Sequence, residues 1–161
     1  MSVRVESQSK HLPHLRPFDR QPIVFLTVCT DQRRRLLASH GAHEALRSVW
    51  IDAASRYGWY VGRYVLMPDH VHLFARPGFE AARLGRWIQV WKSLSARSIA
   101  ASTGQASPIW QKDYFDRFLR SRESYSKTWR YVWENPQRAG LVDDPVDWPY
   151  GGAITELRQS E

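Results

Sequence analysis

Two histidines two positions apart, His70 and His72, stand inside the apolar run Val65-Leu-Met-Pro-Asp-His-Val-His-Leu-Phe74. In a strand, positions i and i+2 project from one face, so the imidazoles would stand side by side while Val71 and Leu73 point the other way. The pattern suits a two-toothed metal clamp and equally suits two polar positions on a half-buried strand, since two ligands do not make a site. A second segment carries complementary groups. Tyr131 and Asn135 are four residues apart, so on a helix they share one face, one turn apart. Asn135 offers a carbonyl oxygen as a hard ligand. With His70 and His72 it gives a mixed N and O set that suits Mg²⁺ or Mn²⁺ less obviously than zinc but leaves positions open for phosphate oxygens. Tyr131 is then the candidate nucleophile, with Tyr114 and Tyr125 as competitors, Tyr125 falling off its face by helical phase. The same spacing also fits a core aromatic and an Asn that ends a helix before Pro136.

The charge balance points to an anionic partner. There are 23 Lys and Arg against 16 Asp and Glu, a net charge of +7, and a sequence pI near 9.9, which favours nucleic acid. Most of the positive charge is Arg, which forks onto phosphates. The 8 Trp and 7 Tyr beside it suit stacking on unpaired bases as well as a core. At 161 residues the chain suits one domain and is too short for a barrel metallohydrolase of about 250 residues. Cys29 is the only cysteine, which excludes an internal disulfide and a cysteine zinc site and predicts a buried, inert thiol. No stretch resembles a signal peptide or approaches the roughly 20 apolar residues of a membrane span, so the expectation is a cytoplasmic, nucleoid-associated protein.

These groups need a scaffold, and the chain divides into a basic N-terminal arm (residues 1–21), one domain (22–152) and a tail (153–161). Residues 22–30 read as a strand, and the turn after it carries Arg33, Arg34 and Arg35. Leu46, Val49, Trp50 and Ala53 recur at helical spacing, predicting a helix over 43–57 stopped by Gly58. Residues 59–67 and 71–75 read as two strands joined at Pro68-Asp69. A second helix is expected over 80–101, carrying Arg83, Arg86 and Lys92 and ending at Gly104. Residues 108–119 suggest a strand pair. A third helix should start at Ser124 as N-cap, be ended or kinked by Pro136, and leave through Gly140. This order suits an α+β fold of ferredoxin-like type, an antiparallel sheet with helices on one face. Arg16, Arg20, Arg33, Arg34, Arg35, Arg83, Arg86 and Lys92 are the expected DNA contacts.

The segment Met67-Pro-Asp-His-Val-His-Leu-Phe74 resembles the His-hydrophobe-His (HUH) motif of single-tyrosine transposases, and Tyr131-Val-Trp-Glu-Asn-Pro-Gln-Arg-Ala-Gly-Leu-Val142 resembles the tyrosine helix of their REP-associated branch. Phe25-Leu-Thr-Val28, Trp110-Gln-Lys-Asp-Tyr-Phe-Asp-Arg117 and Asp147-Trp-Pro-Tyr150 extend the similarity over residues 22–152. The resemblance implies an HUH endonuclease fold and a metal-dependent enzyme that nicks and transfers single-stranded DNA. In that reading Tyr131 attacks the scissile phosphate, becomes linked to the 5′ phosphate and frees a 3′ hydroxyl. It further implies His70 and His72 as ligands of Mg²⁺ or Mn²⁺. Asn135 would be the third ligand where mobile relatives carry Gln, a departure that shortens the side chain. The implied partner is single-stranded DNA with REP-like hairpins, bound by a monomer or homodimer. Two other readings are a catalytically silent nucleic-acid-binding protein and a small phosphoesterase using water; the first is weakened by the complete Tyr, His, His and Asn set, the second by the lack of a second histidine pair or paired carboxylates.

Overall fold

The computed structural model describes residues 21–158, so Arg16, Arg20 and nearly all of the expected basic arm lie outside the described residues. Five antiparallel strands form one sheet: β1 (Ile23–Cys29), β2 (Trp59–Met67), β3 (His70–Pro77), β4 (Phe115–Leu119) and β5 (Gly151–Ala153), in the order β4-β1-β3-β2-β5. The helices are α1 (His40–Ile51), α2 (Ala53–Tyr57), α3 (Leu84–Thr103), α4 (Arg122–Trp133) and α5 (Asn135–Arg138). The first four strands with α1 and α3 reproduce the βαββαβ connectivity of the ferredoxin-like fold, and β5 extends its β2 edge.

The central strands are buried on both sides, and side-chain alternation sorts them into two cores. Val24, Leu26 and Val28 pack with Leu46, Trp50, Trp87 and Trp91 of α1 and α3. Ile23 and Phe25 face the opposite way and pack with Val65, Phe74 and Val132. Phe74 meets Tyr125 and Trp129 of α4 with ring centroids 5.0 and 5.9 Å apart. The sequence predicts helices on one face; α1 and α3 lie there, and α4 covers part of the other. An apolar stripe identifies the buried side of a helix but not the sheet face that receives it.

Other boundaries differ for local reasons. The helix expected over 43–57 is two, α1 and α2, meeting at Asp52, and it exits through Gly58 at φ +71°. A Cβ there would sit 2.8 Å from the Ala81 Cα, so both backbone and packing select glycine. Helix α3 starts later than expected because residues before it are tied back, with Trp59 Nε1 donating to the Ala82 carbonyl at 2.7 Å. The N-cap of α4 is Ser121, not Ser124; Ser124 occupies the third helical position and completes the reciprocal capping box, a pattern two serines can build without Glu or Gln. Of the strand pair expected over 108–119 only β4 forms, and Trp110 makes a single bridge with Thr30. Strand β5 gives no signal in the sequence because Gly151 and Gly152 carry no side chain to alternate. No helix among the described residues is long and apolar enough to cross a membrane.

Candidate active site

His70 and His72 open β3 directly after the Pro68-Asp69 turn, paired with Cys29 and Thr27 of β1 and with Met67 and Val65 of β2. Both face the α4 side of the sheet. Their Nδ1 atoms are engaged: Asp69 Oδ1 lies 2.8 Å from His70 Nδ1, and Thr27 Oγ1 lies 2.8 Å from His72 Nδ1. The Asp69 carboxylate accepts from Nδ1–H and so leaves His70 Nε2 with its lone pair, and the Thr27 hydroxyl can accept from His72 in the same way. The two Nε2 atoms converge at 3.2 Å. Metal–nitrogen bonds of about 2.0–2.1 Å at near-octahedral or tetrahedral angles separate two donors by roughly 2.8–3.4 Å, so this spacing fits a shared cation.

Burial first, then the charges of His70, Arg138 and Arg33, lowers His72 to a pKa of about 3. Burial likewise lowers His70, with Asp69 opposing it. Both imidazoles are therefore neutral at pH 7, the state a ligand needs. Burial alone would raise Asp69, but hydrogen bonds from His70 and Arg33 outweigh it and hold the carboxyl below its ordinary range.

Arg33 anchors this shell. Its Nε donates to Asp69 Oδ2 at 3.0 Å and its Nη1 to Cys29 Sγ at 2.9 Å. Gln32 and Arg33 adopt φ of 55° and 54°, a left-handed conformation that costs of order 1–3 kcal/mol for non-glycine residues and is held by its surroundings. Cys29 is partly exposed, which corrects the expected buried thiol: its neighbour is a guanidinium, since β1 ends there.

Helix α4 brings the other groups. Tyr131 is 61% exposed, and helical backbone continues through Glu134 into α5, so Asn135 follows one turn on. Pro136 falls at the second position of α5, where its missing N–H has no intrahelical role. The Asn135 amide nitrogen is 3.5 Å from His70 Nε2, and a half-turn of the amide presents its oxygen to the same point. Among the described residues there is no cluster of three or more His, Cys, Asp or Glu that could hold a metal. Tyr131 and His72 line one open groove of about 700 Å³. The competing tyrosines are elsewhere. Tyr125 packs on Phe74, and Tyr114 adjoins Gly85 of α3.

Arg138 is a site residue that spacing did not single out, although it lies seven positions after Tyr131. Its guanidinium carbon sits 3.9 Å from the Tyr131 ring centroid, its Nη2 donates to the Tyr131 carbonyl, and Nη1 pairs with Glu134 at 3.6 Å. Among the expected DNA contacts, Arg34 is committed to the chain itself, donating to the Ala106 carbonyl at 3.1 Å and to that of Pro108. Lys92 donates to the carbonyls of Gln111 and Lys112. Arg35 is exposed on the turn, Arg83 is exposed at the N-cap of α3 and Arg86 is exposed on α3 itself, which covers the sheet face opposite the groove. The groove's own cations are Arg117 and Lys127, which sequence reasoning missed because only the tertiary fold sets β4 beside α4.

A family model described as transposase IS200 like matches residues 22–135. A REP-associated tyrosine transposase of Escherichia coli strain K12 is 24% identical over 127 residues, covering 78% of this chain and 73% of the relative. A Haemophilus influenzae protein named as a candidate REP-associated tyrosine transposase is 22% identical over 152 residues, covering 89% and 86%. The fold is similar to that of a solved REP-associated tyrosine transposase bound to a REP hairpin, with a TM-score of 0.64 at 20% identity, over 92% of this chain and 96% of that one.

Proposed function

The chain belongs to the IS200-like transposase family, and from that premise we propose that it nicks and transfers single-stranded DNA bearing REP-like hairpins, with Tyr131 as nucleophile. The observation that carries this reading is the convergence of the His70 and His72 Nε2 atoms at 3.2 Å with the Asn135 amide 3.5 Å from His70, while Tyr131 opens into the groove that His72 lines. A hairpin partner is supported by the similar solved structure, which is bound to one.

In the reaction the Tyr131 hydroxyl oxygen attacks the scissile phosphorus and the phenolic proton passes to solvent. The bond from phosphorus to the 3′ oxygen breaks, and that oxygen takes a proton to leave as a hydroxyl. The 5′ phosphate stays on the tyrosine as a phosphodiester whose energy resembles that of the bond broken, so attack by another 3′ hydroxyl rejoins DNA without ATP. His70, His72 and Asn135 would hold a divalent cation, Mg²⁺ or Mn²⁺. When bound, such an ion neutralises and polarises the phosphate. Asp69 and Thr27 keep the imidazole tautomers fixed, Arg33 holds Asp69, and Arg138 keeps the Tyr131 ring in place beside positive charge.

The test is a covalent adduct. A labelled hairpin oligonucleotide incubated with protein and Mn²⁺ should give a protein–DNA species whose link maps to a 5′ phosphotyrosine at Tyr131. Tyr131→Phe should form none while binding the hairpin with an affinity within about threefold of wild type. An adduct on the phenylalanine variant would overturn the assignment.

A further inference from the structure

The groove that holds Tyr131 and His72 runs on to the edge of the sheet. Three rings cross the strands in a row. His72 on β3 stacks on Phe25 of β1 at 5.4 Å and 22°, and Phe25 meets Phe115 of β4 edge-on at 6.5 Å and 71°. His72 and Phe25 are 9% and 8% exposed, and exposure climbs to 55% at Phe115 on the edge strand. Large apolar rings held open on an edge strand are a liability unless a partner covers them. The wall beside them is cationic. Lys127 of α4 lines the groove, its pairing with Glu123 at 3.1 Å lying on open surface where it is weak. Arg117 reaches from β4 to Thr128 Oγ1 at 2.8 Å.

We propose that this outer groove is a stacking subsite for unpaired nucleobases flanking the scissile phosphate. Phe115, which shares the Phe25 face of the sheet, takes a base face, and Lys127 and Arg117 face the backbone phosphates. This rests on the reading of Tyr131 and His72 as the cleaving centre, which fixes where the strand enters. Aromatic floor and cationic wall together match a single strand, whose bases present π-faces and whose backbone presents charge. In a duplex the base faces are already stacked on each other, so the subsite discriminates by pairing state more than by sequence.

The test uses fluorescence anisotropy at fixed salt in a Tyr131→Phe background, so that no strand is cut. The probes are one labelled hairpin carrying either an oligothymidine flank or an abasic flank with the same number of phosphates. The base-bearing flank should bind about fivefold or more tighter. Phe115→Ala should bring that ratio toward one. Phe115→Leu, which keeps apolar bulk against Phe25, should lose the preference too, whereas Phe115→Trp should retain it. Equal affinity of the starting protein for both flanks, or a ratio that survives Phe115→Ala, overturns the subsite. The adduct assay with Tyr131 restored reads the cleaving centre separately. An adduct together with an unmoved ratio discards the subsite alone, and no adduct together with a ratio that collapses in Phe115→Ala discards the tyrosine assignment alone.

Discussion

The guanidinium of Arg138 lies over the ring of Tyr131, 3.9 Å from its centroid, while donating to that residue's carbonyl across the junction of α4 and α5. One cation thus orients the side chain and caps the helix end of the proposed nucleophile. Arg138→Gln should slow adduct formation about 10- to 100-fold with a smaller change in hairpin affinity, and Arg138→Lys should fall between. Single-turnover rates of adduct formation check this.

Metal binding should depend on the groups behind the imidazoles as well as on the imidazoles. His70→Ala and His72→Ala should abolish Mn²⁺ binding, whereas Asp69→Asn and Thr27→Val should weaken it roughly 10- to 100-fold. Calorimetric titration reads this without any assay of cleavage. Cleavage by wild type that persists in EDTA would count against a metal-dependent reaction.

Stability of the metal-free protein should fall on the acid side. His72 titrates near 3 when folded, against 6.5 ordinarily, so between those values the unfolded chain binds the extra proton. Its contribution is intact above about pH 6.5 and is lost as pH drops toward 3. Urea midpoints in EDTA at pH 7 and pH 5 should show this drop, and His72→Gln should flatten it.

Lys92 and Arg34 should behave as structural cations. Lys92→Met and Arg34→Ala should lower the unfolding midpoint because they remove the hydrogen bonds that tie the segment after α3 to the rest of the chain, yet leave the salt dependence of hairpin binding unchanged. Lys127→Ala, by contrast, should reduce the log-log salt slope by about 0.7.

Ser121→Ala should cost about 1 kcal/mol through loss of the α4 N-cap. Ser124→Ala should cost less, because it returns only one bond of the box. Thermal melts of the two variants distinguish the cap assignment.

Strong, local signals in the sequence correspond to what the fold contains. The alternation around His70 and His72, the stops at Gly58, Gly104 and Gly140, and the four-residue spacing of Tyr131 and Asn135 each depend on neighbours within a turn or a strand pair. What escaped depends on distant partners. Arg33 and Arg34 look alike in sequence, but one meets Asp69 and the other the carbonyls of Ala106 and Pro108. Lys92 reads as a surface helix cation until the segment after α3 folds back against it. Arg117 and Lys127 enter the groove only because α4 lies on the second face of the sheet, a choice no periodicity encodes. Strand β5 is invisible because two of its three residues are glycine.

The two cores are unequal, and that inequality divides labour in time. The face packed by α1 and α3 holds three fully enclosed tryptophans, Trp50, Trp87 and Trp91, whereas the face under α4 is a smaller cluster open to the groove. Opening free energies follow buried apolar contact. Amides of α4 should therefore exchange with solvent water by local excursions while those of β1 and β3 wait for global unfolding. The half of the molecule that carries Tyr131 can breathe without loosening the half that holds the histidines in register.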